Sequence, residues 1–179
     1  MMLKETFEII AIYIKYYVDP QKDILLFMLT FINIAMASNY TSPKYARFFQ
    51  QISEENLLEE SIRFGNNQTE YYEKLVQELM PPNGNSVKKN LSIFLATVYG
   101  IQRNMANRFD EDIFFSFDDQ YNILIRSFIW GLQLNYSEEQ ILSLKLKVEN
   151  LSFEILKTHP DLKHPETYLF QEKKILSKP

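Results

Sequence analysis

The chain of 179 residues is 46% hydrophobic and 23% charged, which is ordinary for a globular protein. Disorder is disfavoured as the main state, because this much apolar surface can offset the entropy lost on folding. The net charge of −4 disfavours a nucleic-acid-binding protein, whose affinity depends on phosphate contacts. With no cysteine in the chain, disulfides and cysteine-based metal or catalytic sites are excluded.

The composition and the spacing of apolar residues both favour helices. Only 4 glycines occur in the whole chain, whereas sheet-rich folds use glycine at turns and bulges. Apolar residues recur at intervals of three and four almost throughout. The sequence therefore predicts an all-α fold, a compact bundle of about seven to eight helices that forms a single domain over residues 1–179.

The N-terminal half begins with two helices separated by Asp19-Pro20. The first is predicted over residues 3–18 and the second from residue 20 to about residue 38. The second helix is apolar nearly all round, so we expect it to be central. Ser42-Pro43 begins a further helical stretch that ends at Gly65.

The next helix is predicted to end before Pro81-Pro82-Asn83-Gly84, the clearest break in the chain. A long helix follows from about Ser86. Another begins at Asp118 or Asp119 and ends at Gly131.

The C-terminal part begins with Ser137 and Gln140, which form a predicted capping box for a helix that ends at His159-Pro160. That helix carries a buried stripe with heptad spacing. A short last helix is predicted over residues 165–176. The stripe residues are Ile141, Leu144, Val148, Leu151 and Ile155.

Two stretches of the chain, residues 20–86 and 87–152, resemble each other. Phe48-Phe49, Asn56 and Gly65 match Phe114-Phe115, Asn122 and Gly131 at a constant offset. One residue of slip extends the match backwards to Phe27 and Phe94. We interpret this as two pseudo-repeats of about three helices each, followed by a C-terminal turn and short helix over residues 153–179. The alternative is chance similarity between amphipathic helices.

An acidic and aromatic cluster precedes the helix at Asp118. It is a candidate docking patch for a basic partner, with the phenylalanines as anchors. The alternative is a set of helix starts that face water, the commoner use of such charges. The candidate residues are Asp110, Glu111, Asp112, Phe114, Phe115 and Asp118.

Both histidines lie in one segment, His159-Pro160-Asp161 followed by His164-Pro165-Glu166. Histidine and carboxylate groups suit metal binding or acid–base catalysis, so His159 and His164 are candidates for such a site. The competing interpretation is a proline turn whose acids cap a helix. The spacing matches no zinc signature, and we expect no metal or cofactor.

One face of the helix after Asp118 carries Asp119, Asn122 and Arg126 at spacings of three and four. The simplest interpretation is the solvent-facing edge of the helix. The alternative is a buried Arg126 paired with a carboxylate such as Glu60.

The missing catalytic signatures favour a non-enzymatic protein-protein interaction module: an adaptor, an inhibitor or a small effector. The alternative is a helical ligand-binding or enzymatic domain with a pocket between the two halves. The expected partner is another protein or a second copy in a homodimer. We expect no membrane span and a cytoplasmic protein, or one delivered into a host cytosol if it is an effector. The bias toward Ile, Lys, Asn, Phe and Tyr suggests a bacterial or phage source.

Overall fold

The computed structural model describes residues 2–41, 67–107 and 116–163. These residues form α-helices and one short 3-10 helix and contain no strand, which confirms the all-helical class. A bundle of seven to eight helices stays a prediction, because the helices expected over residues 43–65 and 165–176 lie outside the described residues. The elements are α1 (Met2–Lys15), α2 (Ile24–Thr41), α3 (Asn67–Leu79), α4 (Val87–Asn107), α5 (Phe117–Gly131), α6 (Glu138–Thr158) and the 3-10 helix η1 (Pro160–Lys163).

The chain divides into two compact units. The first unit comprises Met1–Arg47 and Lys147–Pro179, and the second comprises Phe48–Leu146. The division thus falls within α6 and not at residue 86, where one predicted repeat ends and the other begins. The two pseudo-repeats stay a prediction.

In the first unit, α1 and η1 both pack against α2. Every residue from Ile24 to Phe31 is buried, so the apolar helix is central to this unit, as its composition predicts. Ile10 and Ile14 of α1 and Leu162 of η1 are also fully buried. Burial of these large aliphatic side chains is the main stabilising contribution, at about 25 cal/mol per Å² of apolar surface.

The turn between α1 and α2 is longer than the sequence predicts. Helix α1 ends at Lys15, and α2 begins at Ile24 instead of at Pro20. Two aspartates explain the difference, because each accepts a backbone hydrogen bond that competes with helix formation. The Asp19 carboxylate accepts from the Gln21 N–H at 2.9 Å, and the Asp23 carboxylate accepts from the Leu26 N–H at 3.0 Å. Asp23 therefore caps α2.

In the second unit, α4 packs against both α3 and α5. The centre of this packing is Phe94, whose ring meets Phe128 edge-on with 5.0 Å between centroids. The Tyr72 ring of α3 also lies near Phe94, with 6.1 Å between ring centroids. The predicted break between α3 and α4 is confirmed, and Gly84 adopts the left-handed φ of 74° there.

The starts of α5 and α6 are both fixed by capping boxes. Ser116 caps α5, so the helix begins one residue before the predicted Asp118, and it ends at Gly131 as predicted. At α6 the predicted box is confirmed: the Ser137 N–H donates to Gln140 Oε1 at 2.8 Å, and the Gln140 N–H donates to Ser137 Oγ at 3.2 Å. The end of α6 at Thr158, before His159-Pro160, is also as predicted.

Candidate protein-binding face

Most of the predicted acidic and aromatic patch lies outside the described residues, namely Asp110, Glu111, Asp112, Phe114 and Phe115. Asp118 is described; its exposed carboxylate forms an ion pair with Lys145 of α6. That pairing partly neutralises the charge that a basic partner would have met. The patch as a whole stays a prediction.

His159 lies against Tyr13 of α1 and against Tyr17, which follows α1, in the first unit. Its ring centroid is 4.6 Å from that of Tyr13, and a hydrogen bond of 3.2 Å joins its Nε2 to the Tyr17 hydroxyl. The imidazole is half-buried. These contacts join the end of α6 to α1 and to the residues that follow it, and the predicted acid–base or metal role of His159 stays a prediction. The predicted partnership with His164 lies outside the described residues.

A metal site finds no support among the described side chains. Among the side chains that the structure describes, no three histidine or carboxylate groups lie close enough together to hold an ion. Within residues 2–41, 67–107 and 116–163, no helix has the length and apolar character needed to cross a membrane.

Arg126 ties α5 to the first turn of α6. Its guanidinium donates to both carboxylate oxygens of Glu138, at 2.8 and 2.6 Å. This hydrogen-bonded pairing raises the pKa of Arg126 and lowers the pKa of Glu138. The Arg126 side chain is 27% exposed, so it lies at the edge of the helix and not in the core. Glu60, its other predicted partner, is outside the described residues.

Helix α6 has two apolar faces. One of them is the stripe with heptad spacing that the sequence predicts. This face packs inward: Ile141, Val148 and Ile155 are buried, and Leu144 and Leu151 are half-buried. This outcome agrees with the predicted heptad stripe.

The second apolar face of α6 points to solvent. Leu142 is 56% exposed, Leu146 is 51% exposed and Phe153 is 70% exposed. At about 100° per residue these three side chains fall within roughly 40° of one another around the helix. They extend over about 16 Å along it, given a rise of 1.5 Å per residue. We call Leu142, Leu146 and Phe153 the outer face of α6.

The spacing within the outer face is that of a helix–helix seam. Leu142, Leu146, Glu149, Phe153 and Leu156 follow one another at intervals of four and three. That alternation places side chains in line for packing against another helix. Glu149 and Leu156 are half-buried, and Glu149 makes a polar interaction of its own within the structure.

A sequence signal for the outer face was therefore present. The alternation of four and three runs through residues 142–156, on the side of α6 that lies roughly 160° around the helix from the buried stripe. Only the buried stripe was predicted, because both stripes have helical spacing and the spacing does not show which side of the helix meets solvent. The exposure of the side chains in the folded chain distinguishes the two stripes.

Charged and polar residues border the outer face. Glu139, Asn150 and Lys157 are exposed and fall on one side of it, within about 60° of Phe153 by helical geometry. An apolar centre with a polar rim is the usual anatomy of a protein-binding surface.

Comparison with known proteins gives no match to a family model, to a curated protein or to a solved structure.

Proposed function

We propose that this chain is a non-enzymatic protein-protein interaction module, an adaptor, inhibitor or small effector that acts by binding, and that the outer face of α6 contacts its partner. The observation that carries the proposal is the exposure of Leu142, Leu146 and Phe153 on one helix face. Single exposed apolar residues are common on protein surfaces, but aligned clusters with a polar rim are typical of binding sites.

The stability of α6 supports this role. The helix is capped by Ser137 and Gln140 and tied to α5 through Glu138 and Lys145. A surface that is already ordered loses little conformational entropy when a partner binds. Phe153 is the best candidate for an anchor, because aromatic side chains bury a large area with few rotatable bonds.

A reducing compartment agrees with this proposal. The chain contains no cysteine, and cytosolic proteins do not rely on disulfides. We therefore place the binding event in a cytoplasm, either that of the cell that makes the protein or that of a host.

Site-specific photo-crosslinking tests the proposal. A photoreactive amino acid at Phe153 is expected to form protein adducts in cells that naturally make the chain. The same group at Glu154, also exposed but about 100° away around α6, is the matched control and should give few adducts. If Phe153, Leu142 and Leu146 all give no more protein adducts than Glu154, the proposed function is wrong.

A further inference from the structure

If the outer face binds protein, as we propose, the charges at the two ends of the face indicate which protein binds it. Its N-terminal end carries Glu139 and its C-terminal end carries Lys157, both exposed. Neither has an ion-pair partner among the described residues. The face thus has an acidic end and a basic end with an apolar centre.

A surface of this kind is complementary to itself when two copies are antiparallel. Leu142 of each helix then lies opposite Phe153 of the other, and Glu139 of each lies near Lys157 of the other. A two-fold axis makes the two sets of contacts identical, as in most homodimers. Antiparallel helices also bring opposite ends of their dipoles together.

A parallel arrangement of the same two helices is disfavoured by the same charges. It would leave both charges without a partner across the seam, because a two-fold axis along the helices places the two copies of Glu139, and likewise of Lys157, on opposite flanks. Glu149 would also meet its own counterpart in the seam. In the antiparallel register Glu149 instead lies opposite Leu146 of the other copy, where its aliphatic stem can cover the leucine.

We infer that the outer face of α6 binds the outer face of a second copy of this chain, in an antiparallel helix pair related by a two-fold axis. Leu142, Leu146 and Phe153 contribute the apolar contact. Glu139 and Lys157 fix the direction and register, because exposed ion pairs contribute little to affinity but select between orientations. The pair of α6 helices is the interface.

Sedimentation of the full-length purified chain over a concentration series tests this inference. We expect a monomer–dimer equilibrium, which Leu146→Glu weakens by about 100-fold, since the change occurs twice in a symmetric dimer and burial of one leucine is worth roughly tenfold. Thr158→Glu adds the same charge on the exposed polar side of α6 and should leave the equilibrium unchanged. Thermal unfolding of Leu146→Glu verifies that the variant is folded.

A charge exchange tests the antiparallel register. Glu139→Lys and Lys157→Glu should each weaken the dimer, and the two changes combined should restore it. A combined variant that is weaker than either single variant overturns the register.

The dimer inference and the proposed function fail in different ways. A wild-type chain that stays monomeric over the whole series overturns self-association. If crosslinks from Phe153 then join this chain to a different protein, the proposed function stands and only the inference of a second copy is wrong. If no protein adduct forms either, both are wrong.

Discussion

At the scale of single residues, Gly131 shows how closely α5 approaches α4. A Cβ atom at this position would lie 2.9 Å from Cδ2 of Phe94. The Phe94 ring is fully buried and is flanked by Phe128 and Tyr72, so it has little room to move. In a packed interior such a clash forces neighbouring side chains out of their preferred rotamers.

Gly131→Ala is therefore expected to lower the free energy of unfolding by about 1–3 kcal/mol. Gly100→Ala is the matched control: Gly100 lies within α4, is exposed and has open space around it. The control should raise stability by about 0.5–1 kcal/mol through helix propensity. Urea unfolding of both variants measures the difference; equal effects would contradict the close approach.

The sequence predicted part of this residue-scale picture. It placed the end of α5 at Gly131, because glycine is common at helix ends. It did not predict that the same glycine admits the Phe94 ring, since that contact joins residues far apart in the chain. Arg126 was likewise placed on the right face, whereas its partner Glu138 depends on how α6 follows α5.

At the scale of elements, the start of α5 depends on Ser116 and Asp119. The Ser116 hydroxyl donates to the Asp119 carboxylate at 2.6 Å, and the Asp119 N–H donates to Ser116 Oγ at 3.1 Å. Hydrogen bonds from the Ser116 side chain and backbone lower the pKa of Asp119 below its usual 3.8. The folded state thus stabilises the ionised form of the Asp119 carboxylate relative to the protonated form.

Ser116→Ala is expected to destabilise the protein by about 1 kcal/mol at neutral pH, through loss of the cap. Because the folded pKa of Asp119 is lowered, its contribution is present above the unfolded pKa and is lost as the pH falls through the folded pKa. The difference between wild type and variant should therefore shrink in acid, below about pH 4. Thermal unfolding across pH checks this; a difference that grows in acid would contradict it.

The sequence predicted most of the described helices, but it did not predict which of their apolar faces are exposed. Capping residues and proline breaks located the start of α4 and both ends of α5 and α6 to within about two residues, because these signals are local. The start of α2 was wrong because Asp23 and not Asp19 supplies the cap. The outer face of α6 could not be assigned, since exposure depends on the rest of the structure.

At the scale of the whole molecule, composition was enough for the fold class. Scarce glycine and helical spacing indicated an all-helical protein, and the described residues agree. The pseudo-repeat is harder to assess from packing. Phe27 and Phe94 are matched positions and both are fully buried, but any core helix buries its apolar stripe. The proposed binding function was less accessible still, because binding surfaces carry no short sequence motif.

The central claim is that the outer face of α6 is covered by protein in the cell. Because the chain lacks cysteine, single cysteines introduced along α6 report directly on solvent access. Leu146→Cys and Phe153→Cys probe the outer face, and Lys147→Cys and Glu154→Cys probe exposed polar positions beside it. The rate of thiol alkylation is compared between cells that naturally make the chain and dilute purified protein. We predict slower alkylation in cells at positions 146 and 153 only; equal protection at all four positions would contradict the claim.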